Sequence, residues 1–137
     1  MAQLNHSQVK ILIADDDMEI LRILRTKLSS LGYQVVEANN GEEALVAALA
    51  EQPHMAILDV MMPKMNGWEV CKEIRSRSSF EDMGVMMLTA IGEQLNSLTS
   101  PLYGADHHLD KPFGLDELET SIAQVLKERC KIDLISE

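Results

Sequence analysis

Apolar residues along this chain come in two alternating patterns, short unbroken runs and longer stretches with a three-to-four-residue period, so strand and helix signals alternate. "VKILIA", Val9 to Ala14, reads as the first strand. Leu21, Leu24, Leu28 and Leu31 then form one helical stripe, with Asp17 placed to cap it and Gly32 to end it. "YQVVEA", Tyr33 to Ala38, reads as the second strand. Asn40 and Glu43 resemble a capping box for an Ala-rich second helix that Pro53 terminates. "MAIL", Met55 to Leu58, is a third strand, and Asn66 can cap a third helix that buries Val70 and Ile74. "VMML", Val85 to Leu88, is the fourth strand, and Leu95, Leu98 and Leu102 mark a fourth helix. "ADHHL", Ala105 to Leu109, is a short fifth strand, and Leu115, Leu118, Ile122 and Val125 mark the fifth helix.

Five strand–helix pairs in succession predict an α/β fold with a parallel sheet covered on both faces. Crossovers in such sheets are right-handed, and the binding crevice lies at the carboxyl ends of the strands. The residues expected there are Asp15, Asp16 and Asp17 after the first strand, Asp59 after the third, Thr89 after the fourth, and Lys111 with Pro112 after the fifth.

Asp59 stands at the exit of the most hydrophobic strand, within "AILDVMMPKMNG". An ionised group there is costly unless it is paired or binds a cation. Carboxylates brought close together raise one another's pKa unless a cation sits among them. An all-oxygen donor set with room for water suits Mg²⁺. One carboxylate could then act as a nucleophile toward phosphorus. Mg²⁺, the Lys111 ammonium and the Thr89 hydroxyl could neutralise the oxygens of a phosphoryl group on it.

Composition narrows the function classes. The chain has 137 residues, 46% apolar and 25% charged, which suits one globular domain. A net charge of −10 argues against a nucleic-acid surface and leaves room for a cation or a basic partner. No apolar run approaches the ~20 residues that span a bilayer, and "MAQLNHSQ" lacks a signal-peptide core, so the expectation is a cytoplasmic chain with no membrane partner. Cys71 and Cys130 match no metal spacing, and Cys71 reads as a core thiol. His107 and His108 have no third His or Cys nearby and read as strand residues rather than metal ligands.

The motifs "ILIADDD", "AILDVMMPKMNG", "MLTA" and "DKPF", in this order and spacing, resemble the receiver domain of two-component response regulators. The resemblance covers about Val9 to Leu126. It implies a flavodoxin-like (βα)5 fold with strand order 2-1-3-4-5. It also implies that Asp59 is the phosphoacceptor, that Asp16 is the main Mg²⁺ carboxylate, and that Asp15 acts on the metal through water. The Met61 carbonyl would complete the protein ligands, Thr89 would be the switch hydroxyl and Lys111 the phosphoryl-contacting lysine, with a cis peptide bond before Pro112. His108 stands where receivers usually carry Tyr or Phe as the second switch residue. Met61 and Ile91, two residues beyond Asp59 and Thr89, would flank the site and influence access of water.

The resemblance implies a partner histidine kinase or phosphotransfer protein. It also implies an output through the face of the fourth helix, fifth strand and fifth helix, toward a downstream protein, a fused output domain or a second copy of the chain. Apart from its own phosphorylation and dephosphorylation it is expected not to be an enzyme. The receiver is expected over residues 1–128, with 129–137 as a tail that extends the fifth helix or begins a linker. Three rivals remain at this stage. A haloacid-dehalogenase-type phosphatase would use Asp15 and Asp17 as a D-x-D pair, but Met18 stands where that motif wants Thr or Val. A flavin-binding domain would want a phosphate loop where "DDDME" stands, and a receiver relic would serve only for docking.

Overall fold

The computed structural model describes residues 1–90 and 104–135. In chain order the strands are β1 (Ala2–Leu4), β2 (Lys10–Ala14), β3 (Gln34–Ala38), β4 (Met55–Asp59), β5 (Gly84–Thr89), β6 (His107–Asp110) and β7 (Ile132–Leu134). The helices are α1 (Met18–Ser30), α2 (Gly41–Glu51), α3 (Gly67–Arg75) and α4 (Leu115–Glu128). The helix expected around Leu95, Leu98 and Leu102, and Ile91 beside it, lie outside the described residues. α4 is therefore the helix expected as the fifth.

β3, β2, β4, β5 and β6 form one parallel sheet in that order, which is the 2-1-3-4-5 order expected for the five core strands. Side chains alternate across a strand, and the central strands are apolar on both sides. Ile11, Ile13, Met55, Ile57, Met86 and Leu88 pack with Leu21, Leu24 and Leu28 of α1 and Leu118, Ile122 and Val125 of α4. Leu12, Ala14, Ala56, Leu58, Val85 and Met87 pack with Ala44 and Ala48 of α2 and Val70, Cys71 and Ile74 of α3. Each fully buried aliphatic side chain contributes about 1.5–3 kcal/mol.

Local signals set the helix ends. The Asp17 side chain accepts from Glu19 N, Asn40 from Glu43 N, and Asn66 from Glu69 N in a full capping box with Glu69. Gly32, at φ 101°, closes α1 in the left-handed region that an L side chain avoids. Its N–H donates to Ser29 O and the Tyr33 N–H to Leu28 O, which caps two terminal carbonyls.

β6 starts two residues later than the apolar pattern suggests, because Asp106 takes the Val85 N–H on its own carboxylate at 2.8 Å. The tail reading needs correction. α4 stops at Glu128, Lys131 turns the chain at φ 59°, and Ile132–Leu134 pair in parallel with Ala2–Leu4 as a separate two-stranded sheet. The physical reason is burial. Ile132 is 4% exposed, and Leu4 and Leu134 pack against the same core, which a straight helical extension would not allow.

Candidate functional site

Four carboxyl strand ends meet at one edge of the sheet. β2 delivers Asp15 and Asp16, β4 delivers Asp59, β5 ends in Thr89, and β6 runs into Lys111. Carboxylate oxygens from Asp15, Asp16 and Asp59 lie within 4.8 Å of one another, and among the described residues no other His, Cys, Asp or Glu group offers three such ligand atoms. Asp15 is fully buried, Asp59 is 6% exposed, and Asp16 is exposed.

The Lys111 ammonium is the cation of this cluster. It donates to Asp15 Oδ2 at 2.8 Å and to Asp59 Oδ1 at 3.1 Å. Asp15 Oδ1 also accepts from Asp17 N at 2.9 Å, which ties the acidic loop to the start of α1. The Lys111–Pro112 peptide bond is cis. Burial alone would lower the Lys111 pKa, but hydrogen bonding and charge from Asp15 and the charge of Asp59 outweigh it and raise it. Asp59 moves the other way from an ordinary carboxylate. Burial, then repulsion from Asp15, push it up to about 6 despite the pull of Lys111. The cluster therefore holds more negative charge than one ammonium neutralises.

That imbalance, with hard oxygen donors, fits a small divalent cation. Asp16 and Asp59 offer open carboxylate oxygens, and Asp15, buried and bound to Lys111, offers less. Met61 sits two residues beyond Asp59 and is 67% exposed. The loop from Val60 to Asn66 folds back under Asp59, and Gly67 N donates to Val60 O at 2.9 Å. A Cβ on Gly67 would stand 2.4 Å from the Asp59 carbonyl oxygen, so only glycine lets α3 start this close to β4.

Thr89 is fully buried. Its hydroxyl donates to Asp110 Oδ1 at 2.6 Å, with Leu109 O at 3.3 Å. The sequence reading missed Asp110. The signal available was its register, since β5 and β6 place Thr89 directly opposite it. His107 and His108 lie in β6 with ring centroids 6.2 Å apart. His107 lines a cavity of about 290 Å³ with Asp106, Val125, Glu128 and Arg129, at the start of β6 and away from the acidic edge. Burial and the neighbouring His108 lower its pKa, against the opposing charges of Glu117 and Glu128. Asp106 is a second missed residue. Its carboxylate accepts from Arg75 at 2.8 Å and from Arg129 at 2.7 Å, which joins the ends of α3 and α4.

The dehalogenase-type reading loses its residues here. Asp17 serves as the cap of α1, and Asp15 is buried and bound to Lys111.

A doubly wound α/β sheet with an acidic cluster and one lysine at its carboxyl edge defines a class, and comparison with known proteins identifies it. The model of the response regulator receiver domain matches residues 11–123. The chain belongs to the response regulator receiver domain family. It is 45% identical over 129 residues to the "Probable transcriptional regulator ycf27" of Porphyra purpurea, covering 94% of this chain and 52% of that one. It is 38% identical over 118 residues to the alkaline phosphatase synthesis transcriptional regulatory protein PhoP of Bacillus subtilis, covering 86% and 48%. The chain thus spans about half the length of the curated relatives it matches. Among solved structures, the chemotaxis response regulator CheY4 of Vibrio cholerae superposes with a TM-score of 0.81 at 32% identity, covering 86% of this chain and 98% of that one. A CheY-like receiver domain protein of Methanospirillum hungatei gives 0.81 at 31%, covering 90% and 97%. The chain is accordingly a receiver domain and not an enzyme in the ordinary sense.

Proposed function

We propose that this receiver is a phosphorylation-controlled switch in which Asp59 takes a phosphoryl group from phosphohistidine on a sensor histidine kinase or phosphotransfer protein. The observation that supports this most is the Asp59 carboxylate, nearly buried at a strand end, 3.1 Å from Lys111 and grouped with Asp15 and Asp16. An Asp59 oxygen forms the new P–O bond as the N–P bond of the donor breaks. The leaving imidazole nitrogen keeps the electron pair and takes up a proton. Lys111 stays an ammonium through the step and neutralises one phosphoryl oxygen, and Thr89 can donate to another.

Asp16, Asp59 and the Met61 carbonyl would hold Mg²⁺ directly, with Asp15 reaching it through water. When bound, Mg²⁺ supplies charge neutralisation for the phosphoryl oxygens. Once Thr89 turns toward the phosphoryl group, the β6–α4 face changes, with His108 in the position of the second switch residue. This is a biased two-state equilibrium.

The receiver unit takes in residues 1–128. The β1–β7 pairing, continued by Ile135 N donating to Leu4 O, attaches the tail to it. Because the relatives are about twice as long, the output is a fused domain, a separate protein target or a phosphorylation-dependent homodimer. We place the chain in the cytoplasm. No described helix is long and apolar enough to cross a membrane, and Cys71 and Cys130 are both thiols.

The test is incubation with acetyl phosphate and Mg²⁺, read by intact mass. One phosphoryl increment is expected in the parent and none in Asp59→Asn. An increment that persists in Asp59→Asn overturns the reading.

A further inference from the structure

Thr89 has a single hydroxyl proton, and the structure shows where it goes. It lies on Asp110 Oδ1 at 2.6 Å, with Leu109 O as a longer second acceptor. The two residues are held opposite each other by the end of the β5–β6 ladder, which Lys111 N closes by donating to Thr89 O at 2.7 Å. Thr89 is fully buried, so its hydroxyl must always have an acceptor inside the protein. A hydroxyl offers one donor. It cannot serve the Asp110 carboxylate and an oxygen on Asp59 together.

We infer that Asp110 is a positioning residue for the switch: its carboxylate holds the Thr89 hydroxyl in the unphosphorylated state and competes with a phosphoryl group on Asp59 for the same proton. This rests on the phosphoacceptor reading above and adds a residue to it. Hydrogen bonds to ionised acceptors are about twice as strong as neutral ones. A phosphoryl group must therefore displace a strong bond before Thr89 can turn. Asp110 sets how far the resting equilibrium leans toward the inactive side. It does so while standing next to Lys111, so one short segment carries both the group that draws the phosphoryl oxygens in and the group that holds the switch back.

Two effects of Asp110 have to be told apart. It could act through its bond to Thr89, or its charge could repel an incoming anion whatever Thr89 does. The probe is trifluoroberyllate, a phosphoryl analogue that does not hydrolyse, titrated in saturating Mg²⁺ and read by ¹⁹F NMR. Asp110→Ala should tighten analogue binding by about 3–10-fold, the range expected for one competing hydrogen bond. Asp110→Asn keeps an oxygen at the acceptor position without the charge, and should fall between the parent and Asp110→Ala. In a Thr89→Ala background Asp110→Ala should change affinity by less than about twofold, since no proton is left to compete for.

An unchanged affinity in Asp110→Ala overturns the inference. So does an equal gain in Asp110→Asn, or the full gain in the Thr89→Ala background, since each marks a through-space charge effect. The phosphoacceptor reading fails by a different sign. The analogue would then bind neither parent nor variants, or bind Asp59→Asn as well as the parent.

Discussion

Lys111 Nζ sits 2.8 Å from Asp15 Oδ2, a contact between residues 96 positions apart in the chain. It is the tie that draws the end of β6 to the end of β2, and it passes over Asp59, which the same ammonium reaches at 3.1 Å. Asp15 has no access to solvent, so its charge depends on this partner and on the Asp17 N–H. One ammonium thus serves a buried carboxylate that is structural in effect and a half-screened one that is chemically available.

Replacing Lys111 by Met should expose that double duty. Removing one member of a buried pair leaves the other without compensation, which costs about 3–5 kcal/mol in a dry interior. Lys111 keeps 23% of its side-chain exposure, so the expected loss is smaller, about 2–3 kcal/mol. Urea unfolding without divalent ions should show it. Adding Mg²⁺ should recover part of the loss, because a second cation re-enters the cluster. A loss that Mg²⁺ leaves untouched would mean that Lys111 stabilises by packing alone.

The raised pKa of Asp59 makes a stability prediction with a definite sign. Its folded value of about 6 lies above the ordinary 3.8, so the folded chain binds this proton more tightly than the unfolded chain. Stability at this site is then highest in acid and is lost as pH rises from 3.8 to about 6. At neutral pH without divalent ions, Asp59→Asn should be more stable than the parent. The expected gain is about 1–3 kcal/mol after allowing for the shared charge of the cluster. Thermal melts at pH 7.5 and pH 4.5 test it. The gain should be present in full at the first and fall to about a third of that at the second.

Much of this arrangement was legible in the sequence because the signals were local. Asp17, Asn40 and Asn66 could be recognised as caps, and alternating apolar runs were enough for five strands, while their order came from the resemblance of the motifs to receiver domains. Asp59 stood out because a charged residue at the end of a buried strand is rarely idle. What stayed hidden depends on pairing across long separations. β1 and β7 are only three residues each, with one polar residue apiece, too short to carry a strand pattern until the other is beside it. Asp110 looks like a solvated loop acid until the β5–β6 register sets Thr89 against it. Asp106 falls inside the run expected as the fifth strand and gives no sign of its role, though its carboxylate gathers Arg75, Arg129 and the Val85 N–H into one knot.

Gly67→Ala should place a damaging methyl group directly against the site. Its Cβ would come within 2.4 Å of both the Asp59 carbonyl oxygen and the Met87 terminal methyl. The methyl group of Met87 can move aside, but the backbone of Asp59 cannot without shifting the carboxylate it carries. The expected cost is about 1–3 kcal/mol of overpacking, together with weaker divalent-ion binding. Urea unfolding and a Mg²⁺ titration on the same variant check both. Lost stability with unchanged metal affinity would show that α3 moves as a body and leaves Asp59 in place.

Mg²⁺ affinity itself should divide the three consecutive aspartates and follow pH. Asp16 is exposed beside Asp59 and has an oxygen available, so Asp16→Ala should lose most of the affinity, at least about tenfold. Asp17 spends its side chain on the Glu19 N–H, so Asp17→Ala should change affinity less than about twofold. It should instead remove about 1 kcal/mol of stability as a lost helix cap. A carboxylate must be ionised to bind the ion, and protons compete for Asp59 with a pKa of about 6. Affinity should therefore be flat above pH 7 and fall as pH drops through 6, by about tenfold at pH 5 relative to pH 7.5. In Asp59→Asn the affinity should be low throughout, and the step near pH 6 should vanish. Isothermal titration at four pH values on the parent, Asp16→Ala, Asp17→Ala and Asp59→Asn measures all of these together. Equal losses at Asp16 and Asp17 would move the metal site toward the start of α1. A pH step that persists in Asp59→Asn would assign the competing proton to another group of the cluster.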